Sequence, residues 1–335
     1  MNLAVLITYV VEAFMTAAAF KPAWWLPGPH LQTLWPTFAG RGKKIALQRE
    51  RIELSDGDFI DIDWTTQTTG PRVLVLHGLE GSVNSPYAQG ILKALSRQGW
   101  RSGVMHFRGC SGEVNRLPRT YHSGDTSDLA AIIALLQKRE PNSPLAVIGF
   151  SIGGNVLLKW LGETQGNNPL AAAVAVSVPF QLNKSVDRLR EGFSRVYEKH
   201  LLRCLCRKMA EKFETQSAPI PLPSLASLQT IRQFDNEITA PLHGFSSAED
   251  YYVQSSSRQF LKSIQVPTLV LHAKDDPFMP ASVIPEASEL SAAITLEVLP
   301  KGGHVGFVGG SVPWRPQYWL DERIPAFLRH YLLSR

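Results

Sequence analysis

Four stretches of the chain are apolar almost throughout: Val73 to His77, Gly103 to Phe107, Leu145 to Phe150 and Ala171 to Val178. Runs of this length without alternation are the mark of parallel strands covered on both faces. Pro267–Ala273 and Ile294–Val298 extend the series. Ile45 to Leu54 and Phe59 to Trp64 instead alternate apolar and polar residues, as a half-buried antiparallel pair does. Helical periodicity fills the gaps, most clearly from Thr126 to Arg139, with Asp125 placed to cap it. Strand alternating with helix predicts an open, doubly wound, mostly parallel sheet with right-handed crossovers.

The alternation stops between Pro179 and about Ser263. Here Leu182, Val186, Leu189, Phe193 and Val196 recur at spacings of four and three, which predicts one amphipathic helix. A proline-rich link, Ala218–Pro223, and a helix near Leu225 to Phe234 follow. An insertion at this point of a parallel sheet hangs over the carboxyl ends of the strands, where ligands bind. It is expected to act as a mobile lid that shapes an apolar acyl pocket. The chain therefore divides into an N-terminal extension with a Trp- and Pro-rich arm (1–40), a first core segment (41–178), the lid insertion (179–263) and a second core segment (264–335). The arm from Phe20 to Pro29 is too rich in proline for regular structure, and its tryptophans are expected to pack on the domain body.

Charge sharpens the picture of the insertion. Between Lys184 and Lys212 there are nine basic and four acidic residues, an excess equal to the formal charge of +5 of the whole chain. The simplest expectation is a solvated basic face, and the alternative is contact with an anionic lipid surface. No aromatic–basic interleaving or recognition motif supports a nucleic-acid partner. Met1 to Phe20 is largely apolar, but Glu12 interrupts it and no basic residue precedes it. That favours an N-terminal helix or extension over a membrane anchor or signal peptide, and leaves an over-extended start open. The three cysteines, Cys110, Cys204 and Cys206, form no disulfide framework, which points to a reducing cytoplasm, while the basic helix and the N-terminus are the two places where peripheral membrane contact would be made. Cys204-x-Cys206 lacks partners for a zinc site, and both cysteines are expected to be buried on a helix. Oligomeric state is not readable.

The chemistry lies in Gly149-Phe150-Ser151-Ile152-Gly153, where an apolar run meets a helical one. A G-x-S-x-G turn between strand and helix presents its serine as a nucleophile. A serine hydroxyl needs a base, and the base an orienting carboxylate; in this architecture both lie downstream, acid first. Of the nine histidines, His304 alone sits on a loop after the last predicted strand and beyond the acid. The acid is Asp275 or Asp276; Asp276 is favoured because it directly precedes Pro277, with Asp275 the residue that caps the turn. Gly78 and Gly81 flank Leu79 after an early strand, so the Leu79 amide and that of Ile152 are the candidate oxyanion donors. His77, Arg108, Cys110, Tyr121 and His122 are substrate-contact candidates, the arginines of the 108–116 loop equally able to tie the loop to itself. The mechanism needs no metal or organic cofactor.

These residues resemble a known family. His30–Leu34, His77–Ser82, Phe107–Gly112, Tyr121–Gly124, Gly149–Gly154 and Asp275–Phe278 are similar to the α/β-hydrolase superfamily. More narrowly they resemble the YheT-like hydrolases of bacteria, grouped with the eukaryotic ABHD1/2/3-type proteins as the AB hydrolase 4 family. The resemblance runs from about Phe20 to the C-terminus and implies an α/β-hydrolase fold, with the triad on Ser151, Asp276 and His304. It implies esterase or lipase activity on a small-molecule or lipid carboxylic ester, without fixing the natural substrate. Acyl transfer or thioester cleavage at the same triad remains open, as does a non-catalytic binding role.

Overall fold

The computed structural model describes residues 19–40 and 42–333. The expectation for the apolar N-terminal segment falls on residues 1–18, outside the described part. A single eight-stranded sheet runs through the molecule in the order β1-β2-β4-β3-β5-β6-β7-β8. Its members are β1 (Leu47–Glu53), β2 (Phe59–Thr65), β3 (Arg72–Leu76), β4 (Arg101–Met105), β5 (Leu145–Phe150), β6 (Ala172–Val176), β7 (Thr268–Ala273) and β8 (Ile294–Leu299). β1 pairs with β2 and β2 with β4 antiparallel; every other pairing within this sheet is parallel.

The period-two geometry of β3 sends its side chains into two separate cores. Leu74 and Leu76 pack beneath α3 (Ser127–Arg139) and α4 (Ile152–Thr164) on one face. Val73 and Val75 pack on the other face against α2 (Pro86–Arg97) and the C-terminal helix Leu320–Leu333. Helices on both faces explain why these strands read as unbroken apolar runs.

Five expectations change. β2 is not half-buried: Asp61 and Asp63 on its polar face are buried, paired with Arg51 and Arg49 of β1. The arm is not irregular to its end, because α1 (Pro29–Phe38) begins with a proline at its first turn, where the missing N–H costs nothing. The N-cap of α3 is Thr126, while Asp125 accepts from the Ser127 hydroxyl and pairs with Arg119. The expected single basic helix is two, α5 (Leu182–Leu189) and α6 (Ser194–Thr215), broken at Gly192 with φ +51°. The break turns Phe193 and Val196 outward, 49% and 54% exposed. Cys204 and Cys206 on α6 are half-buried, not fully buried.

A 3-10 stretch at Ser257–Ser263 leads into β7, and between α6 and it come a 3-10 turn at Leu225–Ser227, the short helix Ile231–Phe234, a π turn at Asp235–Thr239, Ala240–Leu242, and α7 (Ala248–Ser255). These helices share their own apolar cluster, from Leu182 through Leu205 and Phe234 to Tyr252. Among the described residues no helix is long and apolar enough to cross a membrane.

Candidate active site

Ser151 stands between β5 and α4 at φ +54°, ψ −120°. A non-glycine residue enters that region at a cost of about 1–3 kcal/mol and stays only where its surroundings enforce it. The enforcement is visible: the Ser151 N–H donates to Val176 O at 2.9 Å, and Ser151 O accepts from Asn155 N at 3.1 Å. The flanking glycines let α4 lie against the sheet. A Cβ at position 153 would sit 2.6 Å from His77 O and 2.7 Å from Leu76 O, and one at 149 would collide with the Gly153 carbonyl.

His304 reaches the serine from the loop after β8. Its Nε2 lies 3.1 Å from Ser151 Oγ, and its Nδ1 lies 2.8 Å from Asp276 Oδ2. Asp276 is 3% exposed, and its other oxygen accepts from the Phe278 N–H at 2.8 Å. The Phe278 ring stacks on the imidazole, with centroids 4.1 Å apart and planes at 4°. The loop is held from three sides. The His304 N–H donates to Thr33 Oγ1 at 2.9 Å, and the Gln32 carboxamide bonds both the N–H and the carbonyl of Val308. Val305 N–H donates to Ser177 Oγ at 3.1 Å. Asp275 accepts from the Gly303 N–H at 3.0 Å, so it pins the histidine loop as well as ending its own strand. Sequence reading missed the part played by Gln32 and Thr33. Nothing local marks two residues that act on a loop about 270 positions away; the only signal is their place in the His30–Leu34 motif.

The loop after β3 passes directly over the serine: a Cβ on Gly78 would lie 3.3 Å from Ser151 Cβ. Gly78 N–H donates to the Tyr87 hydroxyl at 2.7 Å, and Glu80 N–H to the Tyr121 hydroxyl at 3.0 Å. Between them the Leu79 amide has no acceptor among the described residues. Ile152 opens α4, so its amide has no acceptor within that helix. Two unengaged N–H groups near one hydroxyl, beside the positive end of a helix, suit an anionic oxygen.

Ser151 and His304 open on a cavity of about 310 Å³. Its far side is made by the insertion, with Leu182, Val186, Leu205, Met209, Phe234 and Ile238 among its residues. Two charged features interrupt this apolar wall. Lys208 pairs with Glu80 at 2.8 Å, and Asp235 accepts from the Tyr252 and Thr239 hydroxyls at 2.7 Å each. Burial pushes the Asp235 carboxyl up to about 6, against those hydrogen bonds.

Of the five contact candidates, Tyr121 and His122 line the cavity. His122 is kept neutral by burial, which lowers its pKa to about 4. The other three do not line it. His77 donates from Nδ1 to Gly78 O at 2.7 Å and accepts at Nε2 from the Phe107 N–H at 3.1 Å. Buried Arg108 spends its guanidinium on Asp128, Asp58 and Asp56, so this arginine ties the loop to the sheet edge. Cys110 lies behind Tyr121 as a neutral thiol, its pKa pushed up to about 11 by burial. Among the described residues no group of three or more His, Cys, Asp or Glu side chains is placed to hold a metal ion.

The family model of the alpha/beta hydrolase fold matches residues 71–311. Escherichia coli (strain K12) YheT, an esterase by provisional name, is 44% identical over 328 residues, spanning 96% of each chain. The phospholipase ABHD3 of Mus musculus is 30% identical, over 92% of this chain and 78% of its own. Among solved structures, the Pyrococcus furiosus esterase Pf2001 superposes with a TM-score of 0.57 at 18% identity, covering 86% of this chain and 94% of that one. At that identity the last likeness speaks for the fold alone.

Proposed function

Because the chain belongs to the α/β-hydrolase family, we propose that it is a serine hydrolase of carboxylic esters, of carboxylesterase or acylglycerol lipase type. The observation that carries this is the continuous run Asp276–His304–Ser151, with contacts of 2.8 and 3.1 Å. His304 takes the proton of Ser151 as its oxygen attacks the ester carbonyl. The Leu79 and Ile152 amides receive the oxyanion. His304 then protonates the leaving alcohol, and water repeats the sequence on the acyl-enzyme, while Asp276 holds the imidazole in the required tautomer. The acyl chain occupies the cavity beneath the insertion, against the apolar side chains of its wall. The relatives named for esterase and phospholipase activity support an ester or lipid substrate.

The outer face of α6 favours substrates drawn from a lipid surface. Arg195, Lys199, Arg203 and Arg207 are exposed at intervals of four, so they form one stripe. Phe193 and Val196 stand exposed at its start. A basic stripe beside apolar side chains suits an anionic bilayer surface.

The test is hydrolysis of p-nitrophenyl esters from acetate to palmitate by wild type beside Ser151→Ala. Turnover lost in the variant, with a defined chain-length optimum in the wild type, is expected. No ester turned over by folded wild-type protein would remove the esterase reading.

A further inference from the structure

Lys208 stands on α6 yet reaches across the cavity into the loop after β3. Its ammonium donates to Glu80 Oε1 at 2.8 Å and to the Cys110 sulfur at 2.9 Å. Glu80 is the residue directly after Leu79 and has φ +54°, a conformation a glutamate does not hold unaided. What holds it is a small network. The Tyr121 hydroxyl accepts from the Glu80 N–H at 3.0 Å and donates to Glu80 Oε1 at 2.8 Å, the same oxygen that Lys208 engages. The Glu80 side chain is 9% exposed and that of Lys208 16%, so neither charge has free recourse to bulk water. The Lys208 ammonium also lies 5.2 Å from the Tyr121 ring centroid.

We propose that Lys208 is a positioning residue for the Leu79 amide: through Glu80 it joins the insertion to the loop that carries this donor, so the donor is set only when the insertion is seated. The proposal rests on the hydrolase reading above and adds regulation to it. With the insertion displaced, Glu80 loses its cation. A buried carboxylate left with one hydroxyl partner turns toward water, and the strained φ beside Leu79 relaxes. The amide then no longer points at the position the oxyanion will occupy, and hydrolysis is suppressed until the cavity closes over substrate.

Anchoring of α6 does not depend on this contact. Lys212, one turn further on, donates to Asn115 Oδ1 at 2.8 Å and to Leu117 O at 2.6 Å, and Gln216 donates to Asn115 O at 2.7 Å. Loss of the Lys208 ammonium therefore separates positioning of the loop from attachment of the helix.

The experiment compares Lys208→Met, Lys208→Arg, Glu80→Gln and the Met/Gln double variant with Lys212→Met as the anchoring control. The readouts are kcat and KM on p-nitrophenyl butyrate and amide hydrogen exchange of residues 78–81. Removing an oxyanion donor outright costs about 10²–10³ in kcat, so misplacing one is expected to cost about 10–100-fold in Lys208→Met. KM should stay within about threefold, because a donor that acts in the transition state leaves ground-state binding alone. Lys208→Arg recovers most of the rate, the double variant is no slower than either single one, and exchange at 78–81 rises in Lys208→Met but not in Lys212→Met. Should Lys208→Met melt below the assay temperature, Glu80→Gln breaks the same pair from the other side and decides in its place. A folded variant with wild-type kcat, a loss confined to KM, or unchanged exchange at 78–81 overturns the proposal. Wild type without Ser151-dependent turnover would instead remove the hydrolase reading, and the exchange comparison would still decide whether Lys208 holds the loop.

Discussion

The two walls of the cavity are built on different principles. On the strand-end wall the proposed triad is held in place by backbone features: the turned φ of Ser151, the missing Cβ atoms of Gly149 and Gly153, and the amides of Leu79 and Ile152, which have no acceptor among the described residues. On the insertion wall the working parts are side chains, carried by helices that break at Gly192 and pass through a π turn at Asp235–Thr239. A wall fixed by backbone cannot yield by a few tenths of an ångström without losing its geometry. A wall made of Leu, Val, Met and Phe side chains can repack. Substitutions on the first should therefore act on kcat, and those on the second on KM and chain-length preference. Lys208 is a point where the two are tied.

After the loss of turnover in Ser151→Ala, the largest effect expected on the strand-end wall is that of Asp276→Asn. The amide keeps the shape of the carboxylate but stabilises the wrong imidazole tautomer, and a loss of about 10⁴ in kcat follows, with KM little changed. Steady-state kinetics on a short ester measures it; a variant within tenfold of wild type would show that Asp276 does not orient His304. Next comes Gly153→Ala. The added methyl would stand 2.6 Å from a β3-loop carbonyl that has no freedom to retreat. Overpacking of this kind costs about 1–3 kcal/mol of stability. Because the strain falls on the serine turn, activity should fall by about 10²-fold. Urea melts and kcat/KM together test it, and full activity in this variant would break the contrast between the walls.

The same contrast explains what could be read from the chain beforehand. Turn-and-glycine motifs record backbone demands within a few residues of one another, so the strained turn at Ser151 was legible, as the parallel sheet was from its unbroken apolar runs, and the structure brings the expected downstream carboxylate and histidine, Asp276 and His304, into contact with that serine. The insertion was not legible in the same way. Periodicity from Leu182 to Val196 predicted one helix with its basic residues in solvent, but Gly192 breaks it and rotates the faces. The destination of each lysine then depends on acceptors far off in sequence. Asn115, Leu117 and Glu80 draw Lys212 and Lys208 inward, whereas Arg195 and Arg203 stay outside. Arg108 shows the converse: a loop arginine that suited a substrate anion is claimed by three carboxylates, two of them on the β1–β2 hairpin turn.

Lys212 offers a smaller test on the insertion side. It is 1% exposed, and its partners are a carboxamide oxygen and main-chain carbonyls. Burial lowers its pKa from 10.5 to about 8. Between those values the unfolded chain binds the proton that the folded one has released. Stability therefore rises with pH through this window, by at most about 1.4 kcal/mol per unit. Below about pH 8 both states carry the proton and the slope vanishes. Lys212→Met removes the titrating group, so the difference between wild type and variant in urea melts should change across pH 8 to 10 and stay flat below. Parallel curves throughout would mean that the ammonium is not buried in the folded protein.

Leu205→Trp gives the smallest effect and the sharpest one for the comparison. Leu205 is buried on α6 and lines the cavity from the insertion side. The larger indole shortens the space open to an acyl chain without touching Ser151, His304 or the Leu79 loop. Each methylene denied burial forfeits about 0.8 kcal/mol, close to a fourfold change in kcat/KM. The optimum of the p-nitrophenyl ester series should move toward shorter chains, while acetate, too short to reach the indole, is hydrolysed within about threefold of wild type. If acetate slows as much as the long esters do, the insertion wall shapes the chemistry as well as the fit, and the division of labour between the walls does not hold.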